Sequence, residues 1–186
     1  MENVTDHFLH KFFYPESVAF IGASNNRFRQ NYFLVRNQVK LGYQGRIYPV
    51  NPQEKEIYGI KAYPSVKSID EPIDLAVIAV AQSRTPQILK DCLDQGIKRV
   101  VLVAGGFSET GEEGKRIQNQ MLEMVREKGC RALGPNALSP INPSHKFGVS
   151  FHPLKPIKTG GLSLIFQSGL YEPRLRWLIS DFNLHL

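Results

Sequence analysis

With 186 residues, 42% of them hydrophobic, the chain is long enough to bury one full core and to begin a second unit. No stretch approaches the roughly 18 consecutive apolar residues of a membrane span, and Glu2 and Asp6 stand where a secretory signal carries only positive charge, so the expected location is cytoplasmic, with no membrane partner. The net charge of +6 comes from scattered lysines and arginines, none in a run interleaved with aromatics; this argues against nucleic acid and for positive potential around a polyphosphate ligand.

Residues 6–13 place Phe8, Leu9, Phe12 and Phe13 on one helical face behind a possible Asp6 cap, and Tyr14-Pro15 ends the segment. Residues 17–24, Ser-Val-Ala-Phe-Ile-Gly-Ala-Ser, read as a buried strand running into a small-residue turn. There Gly22, Ala23 and Ser24 admit a ligand to the backbone and the next helix offers N–H groups to an anion. A helix is expected over residues 30–41, closed by Gly42, and a second strand over 46–50, ending at Asn51-Pro52. Residues 53–72 are polar and turn-rich, punctuated by Tyr58-Gly59 and Tyr63-Pro64.

A third apolar run covers residues 75–81. Thr85-Pro86 supplies an N-cap and first helical position, Ile88, Leu89, Cys92 and Leu93 the buried stripe, and Gly96 the stop. Residues 99–104 form a fourth strand. The next helix opens with the capping box Thr110-x-x-Glu113, packs through Ile117, Met121, Leu122, Met124 and Val125, and closes at Gly129 before a short fifth strand at 130–133. Cys92 and Cys130 lack metal-type spacing and read as small buried hydrophobes in a reducing compartment.

Strands alternating with helices of this length predict βαβ units: an α/β, Rossmann-like, doubly wound parallel sheet, with its ligand beyond the strand carboxyl ends. Residues 140–160 lose the pattern and read as a linker or strap. From Gly161 a second α/β unit is expected to start, with a strand at 162–166, a tight turn at Gln167-Ser168-Gly169, and a helix whose apolar side is Leu175, Leu178, Ile179 and Phe182. The expected division is residues 1–150 and 151–186.

A nicotinamide dinucleotide site calls for G-x-G-x-x-G in the first turn and an acidic residue ending the second strand. Residues 22–27 read Gly-Ala-Ser-Asn-Asn-Arg and the second strand ends Val50-Asn51-Pro52, so neither element is present; a Walker loop is absent too. The histidines form no convincing metal set: His7 and His10 share a helical face but lack a third ligand. Ser24 and Ser168 stand in no nucleophile motif and read as ligand contacts.

Six segments in register carry a family resemblance: residues 15–24, residues 45–52, residues 74–80, Gly105-Gly106-Phe107 with Glu109 beyond, Gly134-Pro135-Asn136, and Phe166-Gln167-Ser168-Gly169. The chain resembles the CoA-binding domain of NDP-forming (ADP-forming) acyl-CoA synthetases, similar to the alpha subunit of succinyl-CoA synthetase. The resemblance implies a CoA crevice, its nucleotide and diphosphate near Gly22, Ala23, Ser24, Asn25, Arg27, Asn51 and Pro52, with Lys55 toward the ribose phosphate. The pantetheine arm is expected past Val80, Ala81, Ala104, Gly105, Gly106, Phe107 and Asn136.

The second unit is expected to follow the flavodoxin-like, succinyl-CoA synthetase-type fold, and Gln167, Ser168 and Gly169 to receive the phosphate of a phosphohistidine. That histidine and an ATP-grasp domain are expected elsewhere in a longer chain or in a partner subunit, so the chain binds CoA without completing the ligase reaction. Departures from the pattern are a first loop poor in glycine, residues 25–31, and Ala137 and Ser139 where the family often has Cys and Gly. The alternatives are a stand-alone CoA- or nucleotide-binding regulatory module and, further off, an NAD-dependent oxidoreductase without the acidic signature.

Overall fold

The computed structural model describes residues 7–169 and 185–186. Five strands, Ser17–Ile21 (β1), Arg46–Val50 (β2), Leu75–Ile78 (β5), Arg99–Leu102 (β6) and Arg131–Leu133 (β7), form one sheet in the order β2-β1-β5-β6-β7, with every pairing parallel. Two small antiparallel hairpins complete the strand set among the described residues: Glu56–Ile57 (β3) with Ile60–Lys61 (β4), and Ile141–Asn142 (β8) with Phe147–Gly148 (β9).

The central strands are buried on both faces, which is why they read as unbroken apolar runs rather than alternating ones. Ala19, Ile21, Ala76, Ile78, Val100 and Leu102 face the core made with helices Thr85–Asp94 (α3) and Glu112–Glu127 (α4). Val18, Phe20, Leu75, Val77, Val101 and Val103 face the opposite core, made with helix Tyr32–Leu41 (α2), Phe12, Phe147 and Val149. Helices thus cover both sides, as the βαβ pattern predicts. Cys92 and Cys130 are buried free thiols, and loss of solvation pushes the Cys130 thiol up to about 11 and the Cys92 thiol higher still.

Several local expectations need correction. The first helix is only His10–Phe13 (α1), and of its expected apolar face Phe12 alone is buried, while Phe8, Leu9 and Phe13 are exposed. Thr85 lies inside α3 rather than capping it, its hydroxyl donating to the Ala81 carbonyl. The capping box at α4 does not form: Gly111, at φ 109, takes the N-cap position, Thr110 turns its hydroxyl back onto the Phe107 carbonyl, and Glu113 pairs with Arg116. Residues 162–166 are exposed and, among the described residues, form no strand; Leu162 N–H donates to the His185 carbonyl. Asp6, Leu175, Leu178, Ile179 and Phe182 lie outside the described residues.

The proline-rich strap is fastened rather than loose. Buried Gln38 donates to the Leu34 and Gly148 carbonyls at 2.8 and 2.7 Å and accepts from the Gly148 N–H; buried Asn37 donates to the His152 carbonyl and accepts from Leu154 N–H. Burying two amides this way is tolerable only because their polar atoms are partnered. Packing on the first unit therefore reaches Leu154, which is 3% exposed.

Candidate functional site

The chain leaves β1 toward β2, then returns across β1 to build β5, β6 and β7, so the direction of winding reverses between β1 and β5. Loops leaving two such strands diverge and open a crevice at their carboxyl ends. Gly22 and Ala79 stand at the crevice floor, one residue past β1 and β5. Gly22 has φ +91, and a Cβ there would collide with the Ala79 carbonyl oxygen, so only glycine allows the two loops to lie this close.

The β1–α2 loop is held by asparagines. Asn51 Nδ2 donates to the Ala23 carbonyl at 2.8 Å, fixing the end of β2 to the first turn. Asn25 Nδ2 donates to Glu56 O and to Glu54 Oε2, and its Oδ1 accepts from Tyr58 N–H, which locks the loop to the β3–β4 hairpin. Ser24 Oγ accepts from Asn26 N–H, and Asn26 Oδ1 from Phe28 N–H. This bracing presents Arg27, Phe28 and Arg29 to solvent; Phe28 is 99% exposed, and neither arginine enters an ion pair among the described residues.

The expectation that the following helix greets an anion with open N–H groups is not met in that form. Helix α2 starts at Tyr32, two residues later than expected, and the N–H groups of Tyr32, Phe33 and Leu34 already donate to the carbonyls of Arg29, Gln30 and Asn31. The sequence signal missed here is Asn31 itself. An Asn just ahead of a helical pattern reads as an N-cap, yet its side chain makes no cap bond and instead donates to the carbonyls of Gly22 and Ala79.

Farther along the sheet the loops are built mostly of small uncharged residues, with Arg84 at the entry to α3 and Glu109 before α4 as their charged side chains. Val80 is half-buried and Ala81 exposed after β5; Ala104, Gly105 and Gly106 are half-buried after β6. Glu109 folds back so that its carboxylate accepts from Gly106 N–H at 2.6 Å and Phe107 N–H at 3.1 Å. Donation from Gly106 N–H, and from the Glu109 and Phe107 amides, favours the ionised carboxylate and holds its pKa below the ordinary carboxylate value. A side chain added at Gly105 would press on Glu109 and Asn136, and one at Gly106 on Gln82, so three loops meet here. Asn136 N–H donates to the Ala104 carbonyl, tying the β7 loop to the β6 loop.

Phe107 differs from the role expected for it. Its side chain is fully buried in the core with α3 and α4, so it anchors the loop and leaves the crevice wall to its neighbours. Pro52 and Lys55 are exposed beside the β2 end. Gln167 and Gly169 are exposed and Ser168 half-buried, and the helix expected behind them lies outside the described residues. A cavity of about 340 Å³ lies elsewhere, bordered by Leu41, Phe147, Leu154, Lys155 and Ile157, and no candidate residue lines it. Among the described residues no group of His, Cys, Asp or Glu is arranged to hold a metal, and no helix is long and apolar enough to cross a membrane.

Comparison with known proteins places the chain in a family. A family profile described as CoA binding domain matches residues 16–143. The alpha subunit of the ADP-forming acetate–CoA ligase I of Pyrococcus furiosus is 41% identical over 165 residues, 87% of this chain and 36% of that protein. The ADP-forming acetate–CoA ligase II of Archaeoglobus fulgidus is 39% identical over 163 residues, 88% of this chain and 24% of that protein. Among solved structures, acetyl-coenzyme A synthetase 1 of Ca. Korarchaeum cryptofilum superposes with a TM-score of 0.88 at 29% identity, covering 95% of this chain and 38% of that one. The chain thus spans well under half the length of these relatives. The profile match and the shared sheet together show that this chain belongs to the CoA-binding domain family, of the kind found in ADP-forming acyl-CoA synthetases.

Proposed function

We propose that the chain is the CoA-holding portion of an ADP-forming acyl-CoA ligase, and that CoA lies along the strand ends with its head over β1 and β2 and its arm over β5, β6 and β7. The observation that carries this reading is the change in character along the crevice. The β1–α2 loop offers Arg27 and Arg29, neither in an ion pair among the described residues, whereas the loops after β5 and β6 offer Ala81, Ala104 and two glycines, with Arg84 at the entry to α3 as their one basic residue. A polyanionic head joined to a neutral, slender arm complements that gradient. Gly22, Ala23 and Ser24 then border the diphosphate with Arg27, Lys55 lies toward the ribose phosphate, and Val80, Ala81, Ala104, Gly105, Gly106 and Asn136 border the arm.

In the complete enzyme the reaction joins a carboxylic acid to the CoA thiol while ATP becomes ADP and phosphate, by way of a phosphohistidine. This chain's part is to hold the thiol; the ATP-grasp and histidine-bearing segments belong to the rest of a longer chain or a partner subunit. Gln167, Ser168 and Gly169 would meet the phosphohistidine phosphate. Thermal shifts and titration calorimetry with CoA, dephospho-CoA, ATP and NAD test the reading. Stabilisation by CoA that shrinks when the ribose phosphate is removed is the expected result; stabilisation by NAD alone would overturn it.

A further inference from the structure

The crevice floor presents an electrostatic problem to the ligand proposed for it. The Gly22 and Ala79 carbonyls stand one residue past the two strands that flank the crevice, and carbonyl lone pairs repel an approaching diphosphate. Asn31 meets both. Its side-chain amide donates one hydrogen to Gly22 O at 2.8 Å and the other to Ala79 O at 2.7 Å. The orientation of the amide follows from its partners, since an oxygen in that place would face two acceptors. Asn31 has helical backbone angles, φ −61 and ψ −16, and makes no side-chain cap to α2, so the amide is committed to the crevice and not to its own helix.

We propose that Asn31 is a positioning residue for the CoA diphosphate, clasping the β1 and β5 loops together and covering with N–H groups two carbonyl oxygens that would otherwise repel the anion. The inference rests on the CoA reading above and explains how a loop poor in glycine serves a phosphate site. Gly22 lets the loops approach, and Asn31 holds them there and occupies the two carbonyl acceptors of the floor with its own hydrogens.

Calorimetric CoA titrations of the wild type, Asn31→Ala and Asn31→Asp test it, with circular dichroism to verify folding. Asn31→Ala removes the two donors, and CoA affinity is expected to fall several-fold, about fivefold. Asn31→Asp adds a negative charge to the same place, and the fall is expected to exceed about tenfold near neutral pH, recovering in part as the aspartate is protonated toward about pH 4. The wild type lacks that recovery. Should Asn31→Asp not fold, Asn31→Ala together with Asn31→Ser, which restores one donor and part of the affinity, decides the matter. Unchanged CoA affinity in folded variants, or equal losses for Ala, Ser and Asp with no dependence on pH, would overturn the proposal while leaving the CoA reading intact. Absence of CoA binding by the wild type would instead remove the reading beneath it.

Discussion

Two loops at the carboxyl ends of the sheet, after β1 and after β6, are stiffened by opposite means. After β1 the turn is held by neutral amides, Asn25, Asn31 and Asn51, whose hydrogen bonds are satisfied within the protein, and the arginines beside them are left for an outside anion. After β6 the turn is held by a carboxylate, Glu109, which takes the Gly106 and Phe107 N–H groups for itself. Both loops are ordered, but the first keeps its positive charge available and the second satisfies its donors internally. On the proposed reading, this contrast gives a ligand with a charged head and a neutral arm its direction along the sheet.

The largest effect that sharpens this contrast is structural. Phe107→Ala removes the anchor of the second loop from a fully buried site, and a loss of about 3–5 kcal/mol in urea denaturation is expected. Gly22→Ala strikes the first loop, where positive φ and contact with Ala79 O leave no room for a methyl group. A loss of about 1–3 kcal/mol is expected, together with weaker CoA binding, because the two loops must separate.

Charge removal comes next. Arg27→Ala and Arg29→Ala are each expected to weaken CoA by about tenfold while leaving the melting temperature nearly unchanged, since neither side chain is in an ion pair among the described residues. Equal loss for a ligand lacking phosphates would break the proposed direction. Glu109→Gln has the smallest effect. The Glu109 carboxyl is held below its ordinary value near 4.5, so its contribution is present above that value and is lost as the pH falls through the lower folded one. The wild type should lose a small stability advantage over Glu109→Gln on acidification, seen as converging denaturation midpoints.

Much of the frame is readable from residue pattern. The β1, β5 and β6 segments are short apolar runs followed by small or polar residues, a pattern dictated by burial on both faces, and Gly42 closes α2 in the left-handed conformation expected of it. The hairpins are not readable in this way. Strands β3 and β4 have two residues each, too few to show alternation, and only Tyr58 and Gly59, both at positive φ, hint at the turn between them. The strap's attachment rests on Asn37 and Gln38, polar residues on a helix face that a hydrophobic pattern assigns to solvent. Thr110 and Glu113 have the right spacing for a capping box, but close packing of Gly114 against the Phe107 carbonyl sets a different entry to α4.

At the site, Gly22 is legible because a small residue after a buried strand has a steric reason. Asn31 is not, since the same residue at the same place serves equally well as a cap, and only the meeting of residues 22 and 79 reveals its partners. Phe107 shows the converse: it lies in a ligand-facing loop by sequence and in the core by packing.

A crystal structure of the protein with CoA measures the central claim most directly. The coenzyme should cross the carboxyl ends of the strands, with its diphosphate against residues 22–29 and its thiol end beside Ala104, Gly105 and Asn136. CoA lying in reverse along the sheet, or seated in the separate cavity beside Leu41 and Phe147, would contradict it.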